Sequence, residues 1–214
     1  MKKRAAFLIG TGCVLIAVSA SLAVNNQLES LKAEKSAELL TEAFISRTTV
    51  FETSVTEMTN EPVPEIIADN EIRGADEQAS AKKPIIIDGQ EFIGLLSIPS
   101  LGVSLPVNND ISYPLLKMTP CRYFGSVDSD SLIIAAHNYN SHFGKIGMLK
   151  PGDRVNFTNA GGLIETYAIA EVLTLPGDAV DEMIKPEGWA LTLFTCTYSG
   201  TERITVRCVK EERI

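Results

Sequence analysis

Hydrophobic and polar positions divide the chain into three segments of different pattern. The first, residues 1–24, has three basic residues at positions 2–4 and then no charged side chain from 5 to 24. As a helix, this uncharged stretch spans about 30 Å, the thickness of a bilayer core. The pattern predicts a transmembrane signal-anchor with its basic end in the cytoplasm and the rest of the chain outside. A cleaved signal peptide is the alternative, because 21–23 (Ser-Leu-Ala) resembles a small-residue cleavage site.

The second segment, residues 25–84, is polar and acidic. Between 28 and 45, apolar residues recur among Glu and Lys, so we expect a modest amphipathic helix that continues out of the membrane. A coiled coil that binds a partner is the more specific interpretation of this stretch, but the stretch has too few heptads. From Thr48 the composition turns to Thr, Glu, Ala, Asp and Pro, and Pro62 and Pro64 block a helix. We expect an extended, self-repelling linker there.

The third segment, residues 85–214, alternates short apolar runs with turn residues. Strands are predicted at 92–98, 103–107, 131–136, 155–158, 163–175, 189–197 and 203–210, and short helical segments at 113–118 and 178–184. Seven or eight short strands with few helices are typical of an all-β barrel or sandwich. The run 132–136 (Leu-Ile-Ile-Ala-Ala) has no polar alternation, so both of its faces must be covered. That requirement favours a closed barrel.

Charge is distributed unevenly over these segments. The 214 residues include 27 acidic and 19 basic side chains, for a net charge of −8. Such acidity argues against a nucleic-acid-binding protein, which needs a basic face. The first segment is basic, and both later segments are acidic. The hydrophobic fraction of 45% excludes wholesale disorder and a polytopic membrane protein.

The cysteines indicate one free thiol outside the membrane. Cys13 lies in the apolar first segment, where a thiol packs as a small hydrophobe. The remaining Cys121, Cys196 and Cys208 are odd in number, which in an exported protein suggests that one stays unpaired. Cys196 ends a strand, where a side chain is held rigidly and still reaches a cleft. A disulfide between Cys121 and Cys208 is then open, since sequence does not fix connectivity.

Two histidines and an arginine complete a candidate site. His137 directly follows the apolar strand, and His142 lies in the next loop. A thiol is a weak nucleophile at neutral pH unless a base or cation lies near it. Arg203 begins the strand that returns after Cys196, so we expect both to face one cleft, where a guanidinium donates to an oxyanion. Arg207, four residues along the same face, is a rival. Cys, His and Arg suffice for acyl transfer through a thioester.

Other readings of these residues stay open from the pattern alone. A lone Cys in a strand more often belongs to the core than to a catalytic site, and a lone His more often lies in a loop or on the surface. A zinc site from His137, His142 and Cys196 is conceivable, but the spacing matches no common zinc pattern. Acidic residues of the third segment are scattered and form no binding loop, which leaves calcium activation open.

Four segments, in this order, carry a family resemblance. They are 92–99 with 105–107, the strand 132–137 ending in a His, the segment 191–196 (Leu-Thr-Leu-Phe-Thr-Cys), and 201–207 with its Arg. The third resembles the TLxTC signature of sortases, the membrane-anchored cysteine transpeptidases of Gram-positive bacterial surfaces. The others are similar to that family's opening strands, His strand and Arg strand, although Ala136 replaces the usual Gly. The resemblance covers about residues 88–210.

The resemblance implies an eight-stranded sortase β-barrel with short helices. It implies that Cys196 is the nucleophile, His137 the general acid/base, and Arg203 the stabiliser of substrate and oxyanion, and it favours Arg203 over the rival arginine. Thr195 matches a family position that lines the site. His142, whose loop follows His137 closely, is also expected to shape the cleft and contact substrate. The resemblance implies no cofactor and no metal.

The reaction implied is cleavage of a C-terminal sorting signal of the LPxTG type and transfer of the acyl group to an amine. The implied partners are surface proteins that carry such a signal, and a peptidoglycan precursor or a pilin lysine as acceptor. The implied location is the cell membrane, with a single span and the catalytic domain outside. Two alternatives remain: a cysteine endopeptidase that hydrolyses the same kind of signal, and an anchored β-domain that binds a ligand without chemistry.

Overall fold

The computed structural model describes residues 2–58, 83–185 and 188–211. Within these ranges it contains three α-helices, α1 (Lys2–Met58), α2 (Tyr113–Leu116) and α3 (Val180–Ile184). Nine strands follow α1 in the chain: β1 (Ile85–Ile87), β2 (Gln90–Ile98), β3 (Val103–Asn108), β4 (Cys121–Phe124), β5 (Leu132–Ala135), β6 (Arg154–Asn159), β7 (Ile164–Pro176), β8 (Leu191–Cys196) and β9 (Glu202–Lys210). Two short 3₁₀ turns lie at Pro99–Leu101 and Ile146–Met148.

Eight of the strands close into a barrel. Their order is β2-β3-β4-β5-β8-β9-β7-β6, and β6 pairs back onto β2, from Gly94 opposite Asn159 to Ser97 opposite Asn156. The pairs β3–β4 and β5–β8 are parallel, and the others are antiparallel. β1 pairs with β2 alone and adds a short flap outside the ring. The eight-stranded barrel predicted from the sequence is confirmed.

Both faces of β5 are covered, as its continuous apolar run requires. Leu132 and Ile134 belong to the main core inside the barrel. Ile133 points the other way and packs with Leu175 of β7 and Met183 of α3 in a second cluster. Alternate residues of a strand face opposite sides, so the short helix α3 covers the outer face of β5, as the continuous apolar run predicts.

Two strands of the barrel region were missed by the sequence prediction. β1 and β2 are joined by a two-residue turn in which Asp88 and Gly89 have φ of 50° and 77°. Asp-Gly between apolar runs is a strong hairpin signal, and it could have revealed β1. β4 is held to β3 by the single pair Asn108–Cys121 and to β5 by three pairs, two before and one after an irregularity in register. Such irregular pairing leaves little local pattern.

Helix α1 is longer and packs differently than predicted. It extends unbroken to Met58, beyond Thr48 where we expected an extended linker, and residues 59–82 with Pro62 and Pro64 lie outside the described residues. The amphipathic helix over 28–45 is present. Its buried stripe, however, consists of small and apolar residues at Ala33, Ala37, Leu40 and Phe44, whereas Leu28, Leu31 and Leu39 are exposed. Small side chains let the helix lie close against the barrel.

The same helix is the candidate membrane anchor. Among the described residues, α1 is the one helix long and apolar enough to cross a bilayer, in a window that begins at Thr11 near its N-terminus. A signal sequence has the same length and composition, so this property fits both readings of the first segment. Its side chains from Val14 to Leu28 are exposed, whereas those of the later stripe are buried.

Candidate active site

His137, Cys196 and Arg203 lie in a row across three neighbouring strands. β5 and β8 run parallel with Ala135 opposite Phe194, so His137 and Cys196, each two residues further on, leave the sheet at the same level. The Ala136 N–H donates to the Phe194 carbonyl at 3.2 Å and keeps this register to the strand ends. On the other side of β8, Cys196 is the direct partner of Arg203 in β9. The topology therefore brings all three predicted residues to one place.

Cys196 and Arg203 border an apolar cleft of about 240 Å³, and His137 is not among the residues that line it. Its walls are Ile111, Leu116, Tyr123, Ala135, Pro176, Gly177, Ala179, Val180, Met183, Phe194, Cys196 and Arg203. Most of these side chains are hydrocarbon, and the polar side-chain groups are the Cys196 sulfur, the Arg203 guanidinium and the Tyr123 hydroxyl. α3 supplies one wall, so the helix that covers β5 also shapes the cleft. A cleft of this kind suits an extended peptide with apolar side chains.

Cys196 differs from the other two thiols of the barrel region. It is exposed, whereas Cys121 and Cys208 are buried. Burial raises the pKa of each of these buried thiols to about 12. Both are free, and the disulfide left open by the sequence is not formed. β5 and β8 stand between their strands, too far apart for the roughly 7 Å Cα separation that a disulfide tolerates.

The two rival arginines have different surroundings. Arg203 is half-buried, and its Nη1 donates to the carbonyls of Gly200 and Glu202, both at 3.0 Å. These bonds hold the guanidinium against its own turn and beside the cleft. Arg207 is 5% exposed and donates to the carbonyls of Glu182 and Met183 and to the Thr192 hydroxyl. It fixes the end of α3 to the sheet and has no surface in the cleft.

His137 is held among aromatic rings. The ring of Tyr139 lies parallel to it, with centroids 4.3 Å apart and an interplanar angle of 7°. The Tyr113 ring approaches at 5.9 Å, tilted by 58°, and Asn138 Oδ1 is 3.2 Å from Nδ1. The Tyr139 hydroxyl donates to the carboxylate of Glu29 in α1 at 3.3 Å. Sequence reasoning missed Tyr139, Tyr113 and Glu29.

His142 and Thr195 are not on the surface of the cleft. The His142 imidazole is fully buried and lies 5.6 Å from the Tyr139 ring, so it does not fit the predicted contact with substrate. Burial first, and then the nearby His137, lower the pKa of His142 to about 4. Thr195 is 1% exposed, and its hydroxyl donates to the Ala136 carbonyl at 2.8 Å. It does not line the cleft as predicted but ties β8 to the strand end that carries His137.

The loop between the two histidines is folded tightly. Its backbone N–H groups at Phe143 and Gly144 donate to the carbonyls of His137 and Tyr139. A Cβ at Gly144 would lie 2.6 Å from the Asn138 carbonyl oxygen and 2.8 Å from that of Tyr139, so only glycine fits there. Among the described residues, no three side chains of His, Cys, Asp or Glu are grouped so that they could hold a metal ion.

Comparison with known proteins identifies a family. A family model described as Sortase domain matches residues 96–211, more than half of the chain. No curated protein matches. Similar solved structures include a Clostridium perfringens sortase D5 transpeptidase, with TM-score 0.54, 20% identity, and coverage of 65% of this chain and 89% of that one.

Two further solved structures have the same fold. The sortase C2 of Group B Streptococcus pilus island 1 has TM-score 0.51 and 22% identity, and the match covers 68% of this chain and all of that one. Sortase C-1 of Actinomyces oris has TM-score 0.52 and 20% identity, with 80% and 99% covered. At these identities the similarity establishes the barrel fold and does not identify the substrate.

Proposed function

The chain belongs to the sortase family, whose activity is transpeptidation, and on that premise we propose the residues and the substrate of its reaction. Cys196 attacks the threonine carbonyl of a C-terminal sorting signal of the LPxTG type. The acyl group then passes to an amine, either of a peptidoglycan precursor or of a pilin lysine. The observation that carries this proposal is the row of His137, Cys196 and Arg203 at one level of three adjacent strands.

Each residue of the row has a role that its position supports. The Cys196 sulfur bonds to the carbonyl carbon, and the bond from that carbon to the next residue's nitrogen breaks. His137 takes the proton of the thiol and gives it to the leaving amine. It later takes a proton from the incoming amine, as the bond between the acyl carbon and the sulfur breaks, and returns it to the sulfur. Arg203 uses Nη1 for its own turn, and a guanidinium has further N–H groups with which to meet the developing oxyanion.

The apolar cleft supports a substrate with leucine and proline before the scissile bond. Val180 and Met183 of α3 and Phe194 of β8 offer hydrocarbon surface next to Cys196. Thr195 and His142 are buried and act indirectly: the first bonds the strand end that carries His137, and the ring of the second lies 5.6 Å from that of Tyr139.

The decisive experiment uses the full chain in detergent micelles with a panel of LPxTG-type peptides and triglycine as the amine. We expect a thioester on Cys196 by intact-mass spectrometry, and an amide product when triglycine is added. Cys196→Ala should abolish both, and Cys208→Ala, which removes a buried thiol, should retain them. Cleavage without amide product at saturating amine would favour the endopeptidase, and the absence of any adduct would favour a binding module.

We also propose that residues 5–24 of α1 anchor the protein as a single span with the barrel outside the cell. Lys2, Lys3 and Arg4 precede the uncharged stretch and support that orientation. Protease added to intact cells should digest the barrel and spare the N-terminus. Recovery of a mature protein that begins near residue 24 would instead identify a cleaved signal peptide.

A further inference from the structure

The membrane-proximal part of α1 touches the surroundings of His137. The stripe of α1 that faces the barrel begins at Glu29 and continues through Ala33, Ala37, Leu40 and Phe44, at helical spacing. Leu40 and Phe44 pack with Phe92 of β2. This apolar contact fixes the helix on the barrel. It thereby fixes where the carboxylate at the start of the stripe lies.

Glu29 bridges two groups of the barrel. Its Oε1 accepts from the Lys117 ammonium at 3.0 Å, and its Oε2 accepts from the Tyr139 hydroxyl at 3.3 Å. The hydrogen bond and charge of Lys117 lower the pKa of Glu29, so the carboxylate stays ionised at neutral pH. Lys117 in turn lies 5.2 Å from the centre of the Tyr113 ring, which is the second ring that approaches His137.

Tyr139 is consequently held at both ends. Its carbonyl accepts from the backbone N–H groups of His142 and Gly144, at 3.0 and 2.9 Å, which fixes its backbone. Its hydroxyl is fixed by Glu29. The ring between these two points lies flat against His137. An imidazole that transfers protons must keep its ring at a set angle, and the stacked tyrosine limits its rotation.

We propose that Glu29 is a positioning residue, which acts through Tyr139 to orient His137 and so couples docking of the anchor helix to proton transfer. The inference rests on the proposed catalytic role of His137. The rings that contact the His137 imidazole are those of Tyr139 and of Tyr113 in α2, and Glu29 of α1 acts indirectly, through the Tyr139 hydroxyl. Without Glu29, the ring of Tyr139 is free to leave the stack.

The experiment compares four variants of the full chain in detergent micelles. Glu29→Ala removes the acceptor, and Glu29→Gln restores one acceptor oxygen. Glu38→Ala is the matched control, because Glu38 is an exposed acid on the same helix. Tyr139→Leu removes the stacked ring. The first readout is the NMR resonances of the two histidine rings, assigned with His137→Gln, since a parallel aromatic ring shifts the protons beneath it upfield.

We expect Glu29→Ala to move the His137 resonances downfield toward those of Tyr139→Leu, and Glu38→Ala to leave them in place. In the transpeptidation assay, Glu29→Ala should lower kcat about fivefold with KM unchanged, the factor expected for one lost hydrogen bond. Glu29→Gln should recover part of that loss.

Unchanged His137 resonances in Glu29→Ala would overturn the inference, as would a downfield shift without a loss of kcat. The NMR comparison needs no substrate. If the wild-type protein formed no thioester with any peptide, the proposed function would fail while the test of Tyr139 stacking would still give its answer.

Discussion

His142 determines part of the response of the fold to acid. Its imidazole is buried, and that burial, with the nearby His137, lowers its pKa to about 4. In the unfolded chain the same ring has a pKa near 6.5. Below about pH 6.5 the unfolded chain therefore binds a proton that the folded protein does not, and stability falls until the pH reaches about 4. Between pH 7 and pH 5 the loss attributable to His142 is about 2 kcal/mol.

Thermal unfolding of the full chain in detergent, followed at pH 7, 6 and 5, measures this loss. For a domain of about 130 residues, 2 kcal/mol corresponds to about 7 °C in Tm. We expect the Tm of the wild-type protein to fall by about that much more than the Tm of His142→Leu. Phe143→Leu, a change at the neighbouring buried residue that does not titrate, should lower Tm equally at each pH. Parallel profiles of the wild type and His142→Leu would refute the reasoning.

Two substitutions and one labelling experiment test the packing of the barrel and the site. Arg207→Met leaves the α3 carbonyls without their donor and should lower the free energy of unfolding, measured in urea, by about 3 kcal/mol. Arg154→Met, at an exposed ion pair, should lower it by less than about 0.5 kcal/mol. A loss below about 1 kcal/mol for Arg207→Met would contradict the bonding described. Gly94→Ala would press a Cβ into the Phe157 ring at the seam that closes the barrel, so we expect the free energy of unfolding to fall by about 2 kcal/mol. Gly147→Ala, with its nearest neighbour at 3.5 Å, should fold normally. In the folded protein, iodoacetate at pH 8 should label Cys196 and spare the two buried thiols, whose pKa of about 12 keeps them protonated; urea unfolding should make all three reactive. Peptide mass spectrometry that found the buried thiols labelled as much as Cys196 in the folded protein would contradict this.

The sequence predicted the barrel well where local pattern and packing agree. β7 and β9 have long alternating runs, and their predicted bounds match the observed ones within one residue. β4 has little pattern because its place depends on register with neighbours and on a single pair with β3. The end of the helical region was misjudged because Thr-rich composition argued for a linker, while the helix is observed to continue to Met58.

The candidate site, too, could be predicted from the sequence only where its features are local. Strand ends and a hairpin are local features, so Cys196 and Arg203 could be paired from spacing. The choice between Arg203 and Arg207 could not be made from alternation alone, because it depends on α3 lying over one of them. Glu29 and Tyr139 are 110 positions apart, and no spacing rule connects a carboxylate in one helix with a tyrosine in a distant loop.

Under the proposed anchoring, helix α1 also sets how far the barrel lies from the membrane. With residues 5–24 in the bilayer, Glu29 stands only about 8 Å beyond the end of the span, and the barrel docks on the helix from there. The length of the helix then fixes the distance between the barrel and the lipid surface. In the proposed anchoring, the active site is confined to a thin layer next to the membrane, so the proposed sorting-signal substrate must present its cleavage site within that layer.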